Sequence, residues 1–352
     1  MQRSIVVLSG LASLAFGCAT LADAAKGDEN LPNAGVGPFR ALRKGELGLS
    51  LVAPNAVDDD KSLARDASVI DADGDPATFE VVGYFAASTG GAGIEDPPSL
   101  IRRGVARDGR SFERMTSVVL EVTEDWEKGS IGAPAALLHE GETWLYYSSW
   151  GGIGLAKSAD GVTFTKGSGP VLAEATSGWD AGALPQSPSV IALPEGGFAM
   201  FYEVLHPTSG PAIGEARSDD GVTWTRVNDG PALSPAAPSE DAYDDDGVGA
   251  PCAMLGETAL GRPVLWLYYE ARSGDARTIG LAGRFGDGAF DRAASPVFGA
   301  GTSRAPRQPS AVAFDGFVLL FATQHKSTSS DSPAVAAGVA PAQAALPAIA
   351  TE

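Results

Sequence analysis

Short apolar runs alternate with turn-forming residues along most of the chain, and one such run returns five times. It opens on Pro or a small residue, continues with Ser, Ala or Cys, and ends in β-branched or apolar residues. The copies are residues 67–70, 134–137, 188–191, 251–254 and 309–312. After each copy come a turn and an aromatic-rich run, at residues 79–85, 143–147, 198–202, 264–269 and 317–321. Continuous apolar runs of this length, bounded by turn residues, predict strands that are buried on both faces.

A further segment follows the aromatic-rich run and reads as a strand, an Asp-Gly turn and another strand. Its copies are residues 153–164 and 213–224, which match closely, and the weaker 105–112 and 279–290. The repeating unit is therefore four antiparallel strands in about sixty residues. Since repeated four-stranded units close into a ring, we predict an all-β fold, a five-bladed β-propeller with four-stranded antiparallel blades.

We assign residues 39–326 to the propeller. The fifth copy lacks a clear fourth strand, and a strand within residues 39–52 is expected to complete it and close the ring. The Ser-, Ala- and Pro-rich residues 327–352 predict a mostly disordered tail, with one further short strand at residues 334–340.

The N-terminal residues predict export from a bacterium. Arg3 and the apolar residues 4–16 form a signal sequence that is too short to span a bilayer comfortably. One cleavage site lies before Cys18, as in a lipobox, which makes residues 1–17 the signal peptide and Cys18 a lipidated residue. The other lies after Ala24 and gives ordinary secretion. Residues 18–38 read as a tether, and the protein is expected in the periplasm or medium, or as an outer-membrane or surface lipoprotein.

Composition narrows the classes of partner. The chain has 352 residues with 44 Asp and Glu against 25 Lys and Arg, a net charge of −19 that disfavours nucleic acid. Its 44 Gly and 24 Pro fit a fold with many turns, and the Asp-Gly turns supply part of the acidic excess. Cys18 and Cys252 cannot form a disulfide scaffold, and Cys252 is expected to be an inert core thiol. We expect a monomer whose contact with a membrane is limited to the lipid anchor.

Several of these residues resemble a known family. The Ser-x-Asp-Gly turns at Ser158 and Ser218, the Pro-Ser-Val opening of the blades and the pair Arg65-Asp66 resemble the five-bladed arabinanase, invertase and levansucrase superfamily, which includes glycoside hydrolase families 32, 43 and 68. The resemblance implies carboxylates on the inner strands around a central funnel: a base or nucleophile, an acid and a third that tunes the acid. Two of them would face each other about 5 Å apart for retention or roughly 6.5–9.5 Å for inversion.

The chain departs from the family pattern at two blades. The resemblance implies a Glu shortly before Pro188, where the sequence has Gln186, and an Asp before Pro134, where it has Gly132 and Ala133. Of the expected acids, only Asp66 is retained. The acid chemistry has therefore moved to other residues, or the protein is not catalytic.

Other carboxylates are candidates for the missing roles. We predict Asp66 as base or nucleophile, Glu203 or Glu270 as acid because each follows an aromatic-rich strand, and Asp180 as modulator. The alternative for each is a structural ion pair or a salt bridge between blades.

Substrate-binding candidates lie at the blade openings. Aromatic residues beside acids can form sugar subsites, and Arg and Gln can hydrogen-bond to them; the set is Trp126, Trp179, Tyr243, Arg65, Gln186 and Arg307. Arg304 and Arg307 could also bind an acidic sugar. The alternatives are aromatics that anchor loops and charge pairing in an acidic protein.

No metal site is predicted, because the three His residues are scattered. Calcium is considered at residues 58–60 and 71–75, where closely spaced Asp residues are hard ligands, although turn chemistry also explains the second group. Two functions stay open: an exported carbohydrate-active enzyme that cleaves or transfers a glycosidic bond, and a non-catalytic surface propeller that binds glycan or protein.

Overall fold

The structure is a computed structural model that describes residues 39–41, 65–71, 73–74, 81–88, 97–106, 117–206, 210–227, 229–239, 241–257, 262–299, 304–314, 317–326 and 334–341. Predictions for the signal peptide, the tether, Cys18 and residues 58–60 lie outside these ranges. Among the described residues, no helix has the length and apolarity needed to cross a bilayer.

The described strands form five antiparallel four-stranded sheets, numbered here by chain order. Sheet 1 contains β2 (Arg65–Asp71), β3 (Val81–Ala87), β4 (Leu100–Ala106) and β5 (Ser117–Glu121). Sheet 2 contains β6 (Ile131–His139), β7 (Glu142–Ser149), β8 (Gly152–Ser158) and β9 (Thr165–Lys166), preceded by a 3₁₀ turn at Asp125–Glu127. Sheet 3 contains β10 (Pro185–Ala192), β11 (Phe198–His206), β12 (Gly210–Ser218) and β13 (Thr225–Val227).

Sheets 4 and 5 follow the same order. Sheet 4 contains β14 (Gly247–Glu257), β15 (Pro263–Ser273), β16 (Ala276–Arg284) and β17 (Asp291–Arg292). Sheet 5 contains β18 (Arg304–Phe314), β19 (Phe317–Lys326), β20 (Ala334–Pro341) and β1 (Arg40–Ala41). β20 lies where the sequence predicted a further strand, and the N-terminal β1 pairs with it as the fourth strand. Sheet 5 therefore joins the two ends of the chain.

The first strand of each sheet packs against the first strand of the next sheet, and β18 packs against β2. Side chains on these strands bridge the sheets by accepting a backbone N–H from the following one. Ser68 Oγ accepts from Ala136 N at 2.9 Å, Ser189 Oγ from Ala253 N at 2.8 Å, and Ser310 Oγ from Val69 N at 2.9 Å. In these three sheets the serine that opens the apolar run therefore joins neighbouring blades.

Cys252 occupies the corresponding position in sheet 4. Its Sγ accepts a hydrogen bond from Ala311 N at 3.2 Å, and burial raises the pKa of the thiol to about 11. A thiol that stays protonated at neutral pH is unreactive, which agrees with the expected inert role. Sheet 2 carries Ala135 at this position and has no side-chain acceptor there.

Tyrosines of the second strands join neighbouring sheets nearer the outside. Tyr84 Oη donates to Gly161 O at 2.9 Å and Tyr146 Oη to Gly221 O at 2.8 Å, so each holds the Asp-Gly turn of the following sheet. In sheet 3 the corresponding residue is Phe201, which has no hydroxyl. There the buried Glu215 instead forms a two-bonded ion pair with Arg284 of sheet 4, at 2.6 and 2.9 Å.

The Asp-Gly turns themselves have one construction. Asp160 Oδ1 accepts the N–H groups of Val162 and Thr163 at 2.8 and 2.7 Å, and Asp220 does the same in sheet 3. These bonds hold the pKa of both exposed aspartates below the usual range. The glycine after each Asp has φ near +70°, a conformation that other residues rarely adopt.

These features make the chain a β-propeller with four-stranded antiparallel blades, as the sequence predicted. Its core lies between sheets, where aromatic side chains of the second strands, such as Tyr146, Tyr202 and Tyr268, are fully buried. Burial of these large apolar surfaces is the main stabilising contribution.

Candidate functional site

Every sheet has a β-bulge near the start of its first strand, and the five bulges define one end of the propeller. The bulged residue has positive φ in each sheet, between +41° and +53°, and none of the five is glycine: Asp66, Ala133, Ser187, Ala250 and Gln308. Non-glycine residues are strained in this conformation, and such strain persists where the surroundings fix it, often at functional sites.

The bulges approach one another at the centre. Gln308 Nε2 donates to Ser187 Oγ at 3.1 Å, although they belong to sheets 5 and 3, which are not neighbours in the packing order. The second strands return to the same end, because Glu203 pairs with Gln186 and Glu270 with Gly249. We call the bulges together with these strand ends the channel mouth.

Glu203 connects sheets 3 and 4 at the channel mouth. Its Oε2 accepts the N–H of the bulged residue Ala250 at 3.0 Å, and its Oε1 pairs with Arg272 at 2.8 Å. The corresponding residues Ser148 and Thr323 make the same kind of bond, to the bulge N–H groups of Ser187 and Asp66. The carboxylate of Glu203 therefore has a structural role, the salt-bridge alternative considered from the sequence.

Glu270 shares the guanidinium of Arg272 with Glu203. Arg272 Nε lies 2.9 Å from Glu270 Oε1, and Arg277 Nε lies 3.7 Å from the same oxygen. Burial raises the pKa of Glu270, and the nearby Glu203 adds to this, while Arg272 and Arg307 oppose it. Glu270 is thus a buried carboxyl that can hold a proton, which is the property that a general acid requires.

Asp66 is the bulged residue of sheet 1. Its backbone N–H is bound by Thr323, and its Oδ2 lies 3.9 Å from Arg65 Nε. Burial raises the pKa of this carboxyl, Arg65 and Arg307 oppose the change, and Glu203 adds to it. Glu203 therefore acts electrostatically on both Asp66 and Glu270, and these three sequence-predicted acids lie at the same end of the propeller.

The fourth predicted acid, Asp180, lies in a different arrangement. It is buried, and its Oδ2 accepts bonds from Tyr202 Oη at 3.2 Å and from Arg226 Nε at 2.8 Å. Tyr202 is on the second strand of sheet 3 and Arg226 on the fourth. Asp180 therefore connects the loop that precedes sheet 3 to the second and fourth strands of that sheet.

The same arrangement recurs in sheets 2 and 4. Glu127 binds Tyr147 Oη at 2.9 Å and Lys166 Nζ at 2.6 Å. Asp244 binds Tyr269 Oη at 2.8 Å and Arg292 Nε at 3.0 Å. We call these three groups of acid, tyrosine and cation the outer clamps.

A glycine on the third strand leaves room for each clamp tyrosine. A Cβ atom at Gly154, Gly214 or Gly280 would lie 2.4 Å from Cζ of the tyrosine in its own sheet. The closely matched segments around residues 153 and 213 therefore keep glycine for a packing reason.

The aromatic residues beside the clamp acids pack with them. Trp126 lies 6.1 Å from the ring of Tyr147, Trp179 packs against the core between sheets 2 and 3, and Tyr243 Oη lies 3.1 Å from Tyr269 Oη. These contacts correspond to the loop-anchoring alternative. Their proposed part in substrate binding stays a prediction.

Gln186 lies at the channel mouth, and its amide is held by the backbone. Nε2 donates to Ser149 O at 2.8 Å and to Pro185 O at 2.9 Å.

Trp150 follows Ser149, in the turn between β7 and β8. Its surface is 52% exposed, whereas none of the other five tryptophans is exposed. Sequence reasoning missed Trp150, although its position beside a Gly-Gly turn, after the aromatic run rather than within it, is a usable signal.

Arg307 completes the channel mouth. It is exposed, and its charge acts on both Asp66 and Glu270. The side chain of Arg304 lies outside the described part of the chain. At the mouth, the three carboxyls and Asp246, which acts on Arg277, are thus accompanied by four guanidiniums, those of Arg65, Arg272, Arg277 and Arg307.

The described residues contain no group of three or more His, Cys, Asp or Glu side chains that could hold a metal ion. In the segment that was considered for calcium, burial and a hydrogen bond with Asp73 raise the pKa of Asp71 to about 6. This contact between neighbouring aspartates fits the turn chemistry considered from the sequence. His139 packs edge-on against Trp144 and Phe198 at 5.0 and 4.9 Å.

Comparison with known proteins gives the fold. No family model matches the chain, and neither does any curated protein. Among solved structures, a glycosyl hydrolase from Bacteroides ovatus has 15% identity and a TM-score of 0.61, and the match covers 88% of this chain and 97% of that one. An endo-1,4-beta-xylanase from Bacteroides thetaiotaomicron has 16% identity and a TM-score of 0.59, covering 84% and 97%.

A thermostable family-43 glycoside hydrolase is similar as well, with 14% identity and a TM-score of 0.55, covering 80% of this chain and 89% of that chain. At these identities the similarity establishes the architecture, a β-propeller of the kind found in glycoside hydrolases.

Proposed function

We propose that this protein is a carbohydrate-active propeller that cleaves or transfers a glycosidic bond at the channel mouth, with Asp66 and Glu270 as its reacting carboxyls. The observation that carries the proposal is that Asp66, Glu203 and Glu270 lie at the same end of the propeller, where Glu203 and Arg307 act electrostatically on both Asp66 and Glu270. Among these three, Glu203 accepts the backbone N–H of Ala250, which gives it a structural role, so we assign the chemistry to Asp66 and Glu270.

The two carboxyls take different roles in this proposal. Burial favours the protonated form of Glu270, which donates a proton to the leaving oxygen. Arg65 and Arg307 favour the ionised form of Asp66 against the effect of burial, and this form attacks the anomeric carbon or activates the water that does so. When Asp66 is the nucleophile, the water then supplies its hydroxyl to the sugar and its proton to Glu270; when Asp66 is the base, it takes the water's proton, and both carboxyls return to their starting states by exchange with solvent.

Trp150 offers an apolar surface for the sugar. Its exposed ring lies one residue beyond a backbone carbonyl that is bonded to Gln186 at the mouth. Aromatic faces bury the C–H surface of a sugar ring at little conformational cost. Trp150 therefore joins the binding residues predicted from the sequence.

A non-catalytic glycan-binding propeller is the second candidate. It is favoured by Gln186, which cannot act as an acid and whose amide is held by two backbone carbonyls. In that case Asp66 and Glu270 would accept hydrogen bonds from sugar hydroxyls instead of transferring protons.

The two candidates separate in one set of measurements. Release of reducing sugar and binding to immobilised glycans would be measured for the full chain, for Asp66→Asn and for Glu270→Gln. Glu195→Gln, in the exposed turn at the other end of sheet 3, is the matched control. An enzyme loses about 10²–10⁴-fold of its rate in both variants and none in the control.

Trp150→Ala completes the set, because it should weaken glycan binding about tenfold whichever candidate is right. Glycan binding by the parent without any release of reducing sugar supports the binding propeller. Unchanged sugar release by Asp66→Asn and Glu270→Gln would contradict the assigned roles.

The ring and its location belong to the same proposal. We infer that the five sheets are five blades of one closed ring, an inference supported by the bonds from Val69 to Ser310 and from Asp66 to Thr323, which join sheets 1 and 5. We also propose export through the N-terminal signal, with lipidation at Cys18. Mass spectrometry of the mature protein distinguishes a lipidated Cys18 from a cut after Ala24.

A further inference from the structure

The channel mouth has an unusual charge for this protein. The chain as a whole carries −19, yet at the mouth the guanidiniums of Arg65, Arg272, Arg277 and Arg307 balance four carboxyls, those of Asp66, Glu203, Glu270 and Asp246. An anion is repelled less at a site with this balance than at the surrounding acidic surface.

The arginines at the mouth differ in the bonds that their guanidiniums make. Arg272 is bound between Glu203 and Glu270, and Arg277 donates to two backbone carbonyls, Gly274 O and Ala276 O. Arg307 is the exposed one, on the strand that leads into the bulge of sheet 5. Its fork of donors can reach a ligand from solvent, which a buried guanidinium cannot.

The cations also crowd one another. Partial burial lowers the pKa of Arg277, and the charges of Arg272 and Arg307 lower it further, while Glu270 and Asp246 oppose the change. In addition, the raised pKa of Asp66 and of Glu270 reduces the negative charge available to neutralise them. A bound anion would relieve this repulsion.

We propose that the channel mouth binds a carboxylate-bearing sugar, a uronic acid unit of a glycan, with Arg307 pairing with the sugar carboxylate. A guanidinium pairs with a carboxylate through two parallel N–H bonds, which gives direction as well as attraction. This inference rests on the proposed function and names its substrate class. Neutral sugars would lack the group that Arg307 recognises.

The test compares ligands of equal length that differ in charge. Binding of the full chain to an oligosaccharide of galacturonic acid, to its methyl ester and to a sulfated neutral oligosaccharide would be measured by calorimetry at two salt concentrations. Arg307→Gln is the test variant. Arg262→Gln is the control. Arg262 is also exposed, and its guanidinium lies over the Phe285 ring. It directly precedes the first residue of β15, whereas Glu270 lies near the last residue of that strand.

We expect the parent to bind the galacturonate about tenfold more tightly than its ester, and Arg307→Gln to remove this preference while Arg262→Gln keeps it. Added salt should weaken galacturonate binding and leave ester binding unchanged. Equal binding of acid and ester by parent and variant overturns the inference but leaves the proposed function standing. Preference for the sulfated ligand overturns the choice of a carboxylate. Failure to bind any glycan overturns both proposals.

Discussion

The channel mouth and the outer clamps are both built from buried carboxyls beside cations, yet they are organised in opposite ways. In the clamps one design is repeated three times, and each acid is matched by a tyrosine and one cation of its own sheet. At the channel mouth the corresponding positions of the five sheets hold different residues: Ala86, Ser148, Glu203, Glu270 and Thr323. An arrangement that recurs in successive sheets therefore indicates a structural role. A position whose residue differs from sheet to sheet indicates the candidate site.

The sharpest test of this difference is the removal of a clamp acid. Asp180→Ala leaves the buried Tyr202 hydroxyl without its partner, while the partly buried Arg226 keeps only its bond to Ala173 O, and a loss of this kind costs about 1–3 kcal/mol. Chemical denaturation should show a loss of that size in the free energy of unfolding.

The corresponding Asp244→Ala should cost a similar amount, because it removes the same arrangement from sheet 4. Should Asp180→Ala fail to fold, Tyr202→Phe should still lose about 1 kcal/mol. A clamp variant that kept its stability but lost glycan binding would place Asp180 in the site after all.

A second test fills the space that a clamp tyrosine occupies. Gly214→Ala places a Cβ atom 2.4 Å from Cζ of Tyr202, and the ring must shift, at a cost of about 1–3 kcal/mol. Gly230→Ala is the control, since no atom lies within 4 Å of its added Cβ. Thermal unfolding of both variants measures the effect, and equal melting temperatures would refute the tight fit.

A third test adds a repeated bond where one blade lacks it. Ala135→Ser supplies the hydroxyl that Ser68 and Ser189 provide in other sheets, and its natural donor would be the N–H of Val190. We expect a gain of about 0.5–1.5 kcal/mol in the free energy of unfolding. Ala136→Ser, one residue along the same strand, should give no such gain.

The smallest effect on stability is expected at the channel mouth. Because burial raises the pKa of Asp66, the folded chain holds a proton that the unfolded chain releases, and the free energy of unfolding falls as pH rises above the ordinary aspartate value of about 4. Asp66→Asn removes this dependence and should leave stability at pH 7 unchanged or about 1 kcal/mol higher.

Unfolding measured between pH 4 and pH 8 provides the comparison. A loss of 2 kcal/mol or more in Asp66→Asn would mean that Asp66 is a structural partner like the clamp acids.

The features that recur in every sheet could be predicted from the sequence. The features that occur in one sheet only could be predicted only in part. The four-strand unit was readable because each strand buries a run such as residues 198–202 and each turn needs Asp-Gly. The role of Asp180 was not readable, because its partners Tyr202 and Arg226 come from distant strands that only the fold brings together. Trp150 was missed because exposure depends on packing, while the sequence shows only an aromatic residue near glycines.

Asp66, Glu203 and Glu270 lie at the same end of their sheets, as the rule that first and second strands meet at one end of a blade predicts. The difference between them was not visible, since it depends on the N–H of Ala250 that Glu203 accepts. The chemistry of a propeller is therefore easier to locate from sequence than to assign to individual residues.

Sheet 5 also determines when the molecule can finish folding. Arg40 pairs with Val339, so the first described strand waits for nearly the whole chain to be synthesised before it meets its partner. Until then the sheets can form one by one as hairpins, but the ring stays open. The contact that completes sheet 5 is therefore made by the residues that are synthesised last.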